Sequence, residues 1–332
     1  MRSEKTAIMN VLVAGGAGSI GSHLCDALLD RGDSVVVVDN LITGRIENIQ
    51  YNLDNPNFEF KEIDLTHRLR VGNKHKFAPL DVVVDLASPA SPVDFLRLPL
   101  EILEVGSKGT KTLLDLALIN NARFVLGSSS EIYGDPTEHP QKETCFGNVD
   151  TIGPRSCYDE AKRFSEALTA AYQRKENLDA VIVRIFNTYG PRMRHDDGRV
   201  LTNFVVQALT GKPITVYGDG SQTRSFCHVS DQVTGFLHVI DNEVQGPINI
   251  GNPDERSILD IATLVKELCG SDSEIITVPL PNERTGDPRM RCPDINRMEK
   301  LFGWEPKVEL EYGLNALIAK FALELGIHIE NQ

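Results

Sequence analysis

Tyr158 and Lys162 stand four residues apart in a stretch whose apolar spacing predicts a helix over 158–174, so a phenol and an ammonium share one helix face. A fixed cation lowers the pKa of a nearby phenol, and the pair can then take a proton from an alcohol while an adjacent acceptor takes hydride. Of the seven tyrosines only Tyr158 is followed by a lysine at this interval. By itself the pair has an ordinary surface contact as its lesser reading. It follows the strand-end run Ser128-Ser129-Ser130-Glu131 by about thirty residues, however, and a second motif lies upstream.

That motif is Gly15-Gly16-Ala17-Gly18-Ser19-Ile20-Gly21, which directly follows Val11-Leu12-Val13-Ala14. Glycines 15, 18 and 21 give G-x-x-G-x-x-G, bare where a strand turns sharply, where a pyrophosphate approaches backbone and where a helix packs. The phosphates then sit on a helix N-terminus. Asp39 ends the next apolar run eighteen residues after Gly21, where a carboxylate accepts from the adenosine ribose hydroxyls and repels a 2′-phosphate. NAD is therefore expected over NADP, with Arg45 nearby as the one residue able to hold a 2′-phosphate or else to lie in solvent. The expected cofactor wall takes in Ser19 and Ile20 at the helix start and Asn40 beside Asp39. Asp64, Leu65, Leu86 and Ala87 extend it, and Tyr158 and Lys162 close it, the lysine also able to hold the nicotinamide ribose.

The elements that must position these groups alternate β-branched runs with amphipathic stretches, the pattern of repeated βαβ units. Strands are expected at Asn10 to Ala14, Ser34 to Asp39, Asp81 to Ala87, Arg123 to Ser128 and Ala180 to Phe186, and helices at Ile20 to Arg31, Ile102 to Asn120 and Tyr158 to Arg174. Past Asn187 glycine, proline and charge cluster, which marks a domain boundary. The chain is expected to return at about 226–251, through a helix at Asp231 to Val239 and a strand at Pro247 to Gly251. Helices at Ser257 to Cys269 and Leu310 to Leu325 belong to the rest. The predicted fold is α/β, a doubly wound Rossmann-type parallel sheet (1–187 plus the return segment) that binds NAD. A smaller C-terminal α/β substrate lobe (188–225 and 252–332) completes it.

The chain has 332 residues, 41% of them hydrophobic, and no apolar run approaches the length of a membrane span. Its net charge of −13 argues against nucleic-acid binding, which draws on a basic face. An anionic ligand needs a local cationic pocket. Six cysteines with no C-x-x-C pair suggest reduced thiols, a cytoplasmic setting and no metal. Residues 1–10 lack the architecture of a secretory signal and are expected to be a short loose leader.

Longer runs carry a resemblance. They include Ser130-Glu131-Ile132-Tyr133-Gly134-Asp135-Pro136, His139-Pro140-Gln141, Gly153-Pro154-Arg155, Cys157-Tyr158-Asp159-Glu160 and Arg184-Ile185-Phe186-Asn187-Thr188-Tyr189-Gly190-Pro191-Arg192-Met193. Asp197-Gly198-Arg199-Val200, Val216-Tyr217-Gly218 and Gly220-Ser221-Gln222-Thr223-Arg224 continue it. Over almost its whole length the chain resembles the extended short-chain dehydrogenase/reductases acting on nucleotide sugars (the NAD-dependent epimerase/dehydratase family), and within them the UDP-glucuronic acid decarboxylases, or UDP-xylose synthases.

The resemblance implies oxidation of the sugar at C4, loss of the C6 carboxylate from the resulting β-keto acid, and re-reduction to UDP-xylose. Tyr158 is then the base at the C4 hydroxyl, Lys162 its partner and Ser129 the hydroxyl that is normally threonine. Glu131 acts near the sugar carboxylate, either ionised or as an acid. Arg224 orients the carboxylate, and Arg155, Asn187, Tyr217 and Arg291 hold the UDP. A homodimer through helices 102–120 and 158–174 is also implied. Phe146 stands where many decarboxylases have tryptophan, and Gly106 where asparagine is common. A C4 epimerase of UDP-glucuronic acid, a sugar 4,6-dehydratase and a non-catalytic NAD-sensing protein are the alternatives. The Ser130-Glu131 pair disfavours the dTDP-glucose dehydratases, which carry Asp-Glu, and the intact Tyr158/Lys162 pair disfavours the last.

Overall fold

Val11, Leu12, Val13 and Ala14 are all fully buried, which requires apolar cover on both faces of their strand. The computed structural model, which describes residues 8–67, 77, 79–282 and 286–328, supplies that cover from two sets of helices. Val11 and Val13 pack against Leu24, Cys25 and Leu28 of helix α1 (Ser19–Arg31) and against Phe236, Val239 and Ile240 of the helix Val229–Asp241. Leu12 and Ala14 face the other way, onto Leu113, Leu114 and Ala117 of helix α4 (Thr110–Asn120). Burying each of the valine, leucine, isoleucine and phenylalanine side chains among them contributes about 1.5–3 kcal/mol. Most of the expected leader, residues 1–7, lies outside the described residues.

Seven parallel strands form the sheet. β1 (Asn10–Ala14), β2 (Ser34–Asp39) and β3 (Phe58–Glu62) run outward on one side. β4 (Val82–Asp85), β5 (Arg123–Ser129), β6 (Ala180–Ile185) and the strand Pro247–Ile250 run outward on the other. The winding direction therefore reverses between β1 and β4, the place where such sheets open a crevice at their carboxyl ends.

Among the elements that differ from expectation, three bear on the sheet domain. β4 stops at Asp85 because Leu86 and Ala87 leave the ladder to pack over the turn after β1, where a Cβ on Gly15 would come within 2.6 Å of the Leu86 carbonyl. The single helix expected over Ile102 to Asn120 is interrupted. Helix α3 (Pro99–Glu104) passes through a π-helical turn, Val105–Gly109, into α4, and glycines at both 106 and 109 permit that wider turn. β3 was missed; its Phe-Glu-Phe alternation is the signal of a half-buried edge strand.

A separate hydrophobic cluster joins the helices Val200–Leu209, Ile258–Leu268 and Leu310–Leu325. Beside it the strand Thr223–Ser225 pairs with Glu255–Ser257 and with Met290–Arg291. That pairing brings residues 224 and 291 side by side.

Candidate active site

A cavity of about 570 Å³ opens at the sheet reversal and runs from Gly15, Gly18, Ser19, Ile20 and Gly21 to Ser129, Glu131, Tyr158 and Lys162. Across it stand Arg155, Asn187, Tyr217 and Arg224. A second cavity of about 300 Å³ adjoins the glycine turn and is lined by Asp39, Asn40, Asp64, Leu65, Leu86 and Ala87. Nearly all residues singled out in the sequence as site candidates thus meet along one connected crevice. Arg291 is the exception: it is 1% exposed and lies behind Glu131.

The glycine turn is built for an anion. Gly15 adopts φ +75°, and a side chain on Gly21 would fall 2.3 Å from the Gly15 carbonyl oxygen, so bare backbone is required at both. Helix α1 begins at Ser19 with no side chain capping its free N–H groups, which leaves them for a phosphate. The Asp39 carboxylate accepts from the Ala17 N–H at 3.0 Å and the Leu41 N–H at 2.9 Å, which fixes it at the mouth of the smaller cavity with lone pairs to spare for ribose hydroxyls. Arg45 is turned away toward Glu324 and the Met193 carbonyl, each at 3.5 Å. These features fit NAD.

At the other end Tyr158 is 7% exposed and stacks on Phe95, with ring centroids 4.9 Å apart. The Ser129 hydroxyl is near enough to its phenol to pull the phenol's pKa down. Lys162 donates to the Gly127 carbonyl at 2.8 Å and lies 5.8 Å from the Tyr158 ring centroid. The expectation that a neighbouring cation lowers the phenol's pKa does not hold in the free chain. Burial pushes Tyr158 up to about 12, against the opposing pull of Ser129 and Arg199. Burial likewise lowers Lys162, opposed by Asp85 and Glu166.

Glu131 sits in the short 3-10 turn Ser130–Tyr133, whose cap is Ser129 accepting from the Glu131 N–H at 3.2 Å. With the cap supplied by Ser129, the Glu131 carboxylate is free to point inward, where it accepts from Arg155 at 2.6 Å and Arg291 at 3.2 Å. Burial raises its pKa, but Arg291, Arg155 and Arg224 together hold it well below the ordinary carboxylate range. In the free chain the three arginines favour the ionised form of Glu131. Arg155 also bonds Asp287. Arg224 donates to the Thr223 carbonyl at 2.8 Å, and burial, then repulsion from Arg291, lowers it to about 10.

Three participants were not singled out in the sequence. Phe95 comes from helix α2 (Pro92–Arg97), capped by Ser91; Asp287 comes from an irregular segment with no periodic signal. Asp159 lies inside a quoted run, one helical turn after Arg155, and that spacing is the signal that could have found it. Phe146, which stands where many decarboxylases have tryptophan, is 93% exposed. At Gly106 a Cβ would stand 2.8 Å from the Ala161 Cβ, so a larger residue there needs the helices to part.

A doubly wound sheet with a phosphate turn at its reversal and a Tyr/Lys pair in the same crevice defines a dinucleotide-dependent enzyme of the Rossmann class. The chain belongs to the NAD dependent epimerase/dehydratase family, whose model matches residues 11–251, and its cofactor is NAD. Among its relatives is UDP-glucuronic acid decarboxylase 4 of Arabidopsis thaliana, 48% identical over 96% of this chain and 69% of that protein. UDP-glucuronic acid decarboxylase 1 of Xenopus tropicalis is 45% identical over 97% and 74%. Of solved structures, UDP-glucose 4-epimerase of Thermotoga maritima with UDP-glucose has a TM-score of 0.86 at 30% identity, covering 96% of this chain and all of that one. Among the described residues no helix is long and apolar enough to cross a membrane.

Proposed function

We propose that this enzyme converts UDP-glucuronic acid to UDP-xylose and carbon dioxide, with no net change in oxidation state. The observation that carries the reading is Glu131, ionised between Arg155 and Arg291 on the wall next to the Tyr158–Ser129 pair. The decarboxylase names of relatives at 45–48% identity support it.

Gly15, Gly18 and Gly21 cradle the dinucleotide's phosphates, with Ser19 and Ile20 at the helix start. Asp39 holds the adenosine ribose among Asn40, Asp64, Leu65, Leu86 and Ala87, and Lys162 the nicotinamide ribose. Bound NAD⁺ supplies a reversible two-electron acceptor and a positive charge at this end of the cavity. Tyr158 takes the proton of the C4 hydroxyl, and the neighbouring Ser129 hydroxyl steadies the phenolate. Once C4 is a ketone, the C6 carboxylate lies β to it and leaves as carbon dioxide, its electron pair passing to O4. Tyr158 and Ser129 then donate to that enolate oxygen from fixed positions. Protonation at C5 from water, and re-reduction at C4 with the Tyr158 proton returned to O4, complete UDP-xylose.

Glu131 raises the energy of the reactant carboxylate by repulsion, a strain relieved as the charge departs. Arg224 orients the carboxylate, since a tighter ion pair would stabilise the reactant and oppose its loss. Asn187 and Tyr217 take the UDP; Arg155, expected there too, is engaged by Glu131 and Asp287 and with Arg291 acts mainly by holding Glu131.

Residues 1–187 with the return segment at about 226–251 form the NAD domain, and 188–225 with 252–332 the substrate lobe. That division is supported by the separate hydrophobic cluster of the second group. A homodimer is supported by the exposed Leu100, Leu103 and Phe164 on α3 and on helix α5 (Ser156–Glu176), and a cytoplasmic setting by six free thiols. The test is incubation with UDP-glucuronic acid and NAD⁺ and measurement of released carbon dioxide. Release in step with UDP-xylose is expected, and conversion without it refutes the reading.

A further inference from the structure

Asp159 directly follows the proposed base, is 6% exposed, and has one carboxylate oxygen, Oδ1, with no hydrogen-bond partner. Its N–H bonds the Arg155 carbonyl at 3.1 Å, so the two side chains lie on one helix face. The charged groups around it are Glu131 from the turn 130–133, Asp287 and Arg291 from the segment 287–291, and Arg155 from its own helix. Arg224 joins the same cluster from the strand 223–225, while Glu160, next along α5, is engaged by Arg163. Unused donors remain too, for Arg155 Nε and both Nε and Nη1 of Arg291 are buried without a partner. Three guanidiniums thus face two paired carboxylates, Glu131 and Asp287, and the third acid decides the balance.

We propose that Asp159 sets the charge of this arginine cluster so that it admits one sugar carboxylate, making Asp159 a positioning residue for the substrate's C6 group; the inference rests on the decarboxylase reading. Uncharged, Asp159 leaves the cluster one positive charge in excess, matched to a single carboxylate. Ionised, it cancels that excess, and the incoming anion meets a neutral site. Burial, then the neighbouring Glu131, raises Asp159 to about 7, with Arg155 and Arg291 opposing. The arginines hold Glu131 low and burial pushes Tyr158 up, so both shift away from that range. The carboxylate and the Asp159 proton are therefore linked: each favours the other's binding.

The test measures binding by calorimetry on the full chain loaded with NADH, which cannot oxidise the sugar, from about pH 6 to about pH 8.5. UDP-glucuronic acid is expected to bind about tenfold more weakly at the upper end, equivalent to one unit of linked pKa shift. UDP-xylose, which lacks the carboxylate, is expected to bind equally throughout. Asp159→Asn, permanently uncharged, is expected to keep tight UDP-glucuronic acid binding at high pH. A parent affinity that does not change with pH, or an equal loss for UDP-xylose, overturns the proposal even if the variant fails to fold; so does an Asn variant that retains the pH dependence. Failure to bind UDP-glucuronic acid at any pH overturns the decarboxylase reading instead.

Discussion

At one end of the crevice, the consecutive residues from Gly15 to Gly21 make an anion site from bare backbone and a helix N-terminus. At the other, Glu131, Arg155, Arg224, Asp287 and Arg291 come from four segments, and the Glu131–Arg291 contact alone spans 160 residues of sequence. The backbone site suits the constant part of the ligand pair, because phosphates need donors and charge but little choice. The side-chain site must tell a sugar carboxylate from a hydroxymethyl group, and only opposed charges at low dielectric discriminate so strongly. The first end resists change through sterics and the second through charge balance, so substitutions at the two should fail in different ways.

Tyr158→Phe keeps the ring stacked on Phe95 and removes only the ionisable oxygen. Turnover should fall by about 10²–10⁴-fold with NAD affinity unchanged, and stopped-flow absorbance should show no transient NADH. Glu131→Gln keeps the shape but leaves Arg155 and Arg291 without their shared anion. A drop in turnover of roughly a hundredfold is expected, with NAD binding again unmoved and a lower melting temperature from the broken buried ion pair. Parental turnover in this variant would remove Glu131 from the chemistry.

Gly15→Ala probes the opposite end. A Cβ there meets the Leu86 backbone at 2.6 Å and sits at positive φ, so about 1–3 kcal/mol of stability should be lost. NAD affinity should fall with it, as fluorescence titration would report. The smallest effects concern cofactor choice. Asp39→Ser should relax the preference for NAD over NADP by about tenfold through loss of the ribose contact and the repulsion. Arg45→Ala should change NAD affinity by less than about fivefold, since it cuts only a partly exposed contact with Glu324.

The contrast between the ends also explains what the sequence disclosed. The glycine turn, Asp39 and the Tyr158/Lys162 interval are local patterns whose geometry follows from a strand, a turn or a helix, and they could be read directly. β3 was legible by alternation and overlooked. The break at Val105–Gly109 was signalled only by glycines inside an otherwise helical run. Of the two partners of Glu131, Arg291 was not legible as one: it reaches the carboxylate through the pairing of Met290–Arg291 with Thr223–Arg224, a tertiary fact no spacing encodes. The direction of the Tyr158 shift was also hidden, because helix periodicity places the cation but does not show that burial outweighs it.

The most direct test uses UDP-glucuronic acid deuterated at C4, turned over with NAD⁺ and analysed by mass spectrometry. The account predicts a product lighter by one carbon dioxide that still carries the deuterium, because the sugar carbon is oxidised and then re-reduced within one bound state. A product of unchanged mass, or one that has lost carbon dioxide without the C4 label ever having moved a rate or appeared in a transient reduced cofactor, would contradict it.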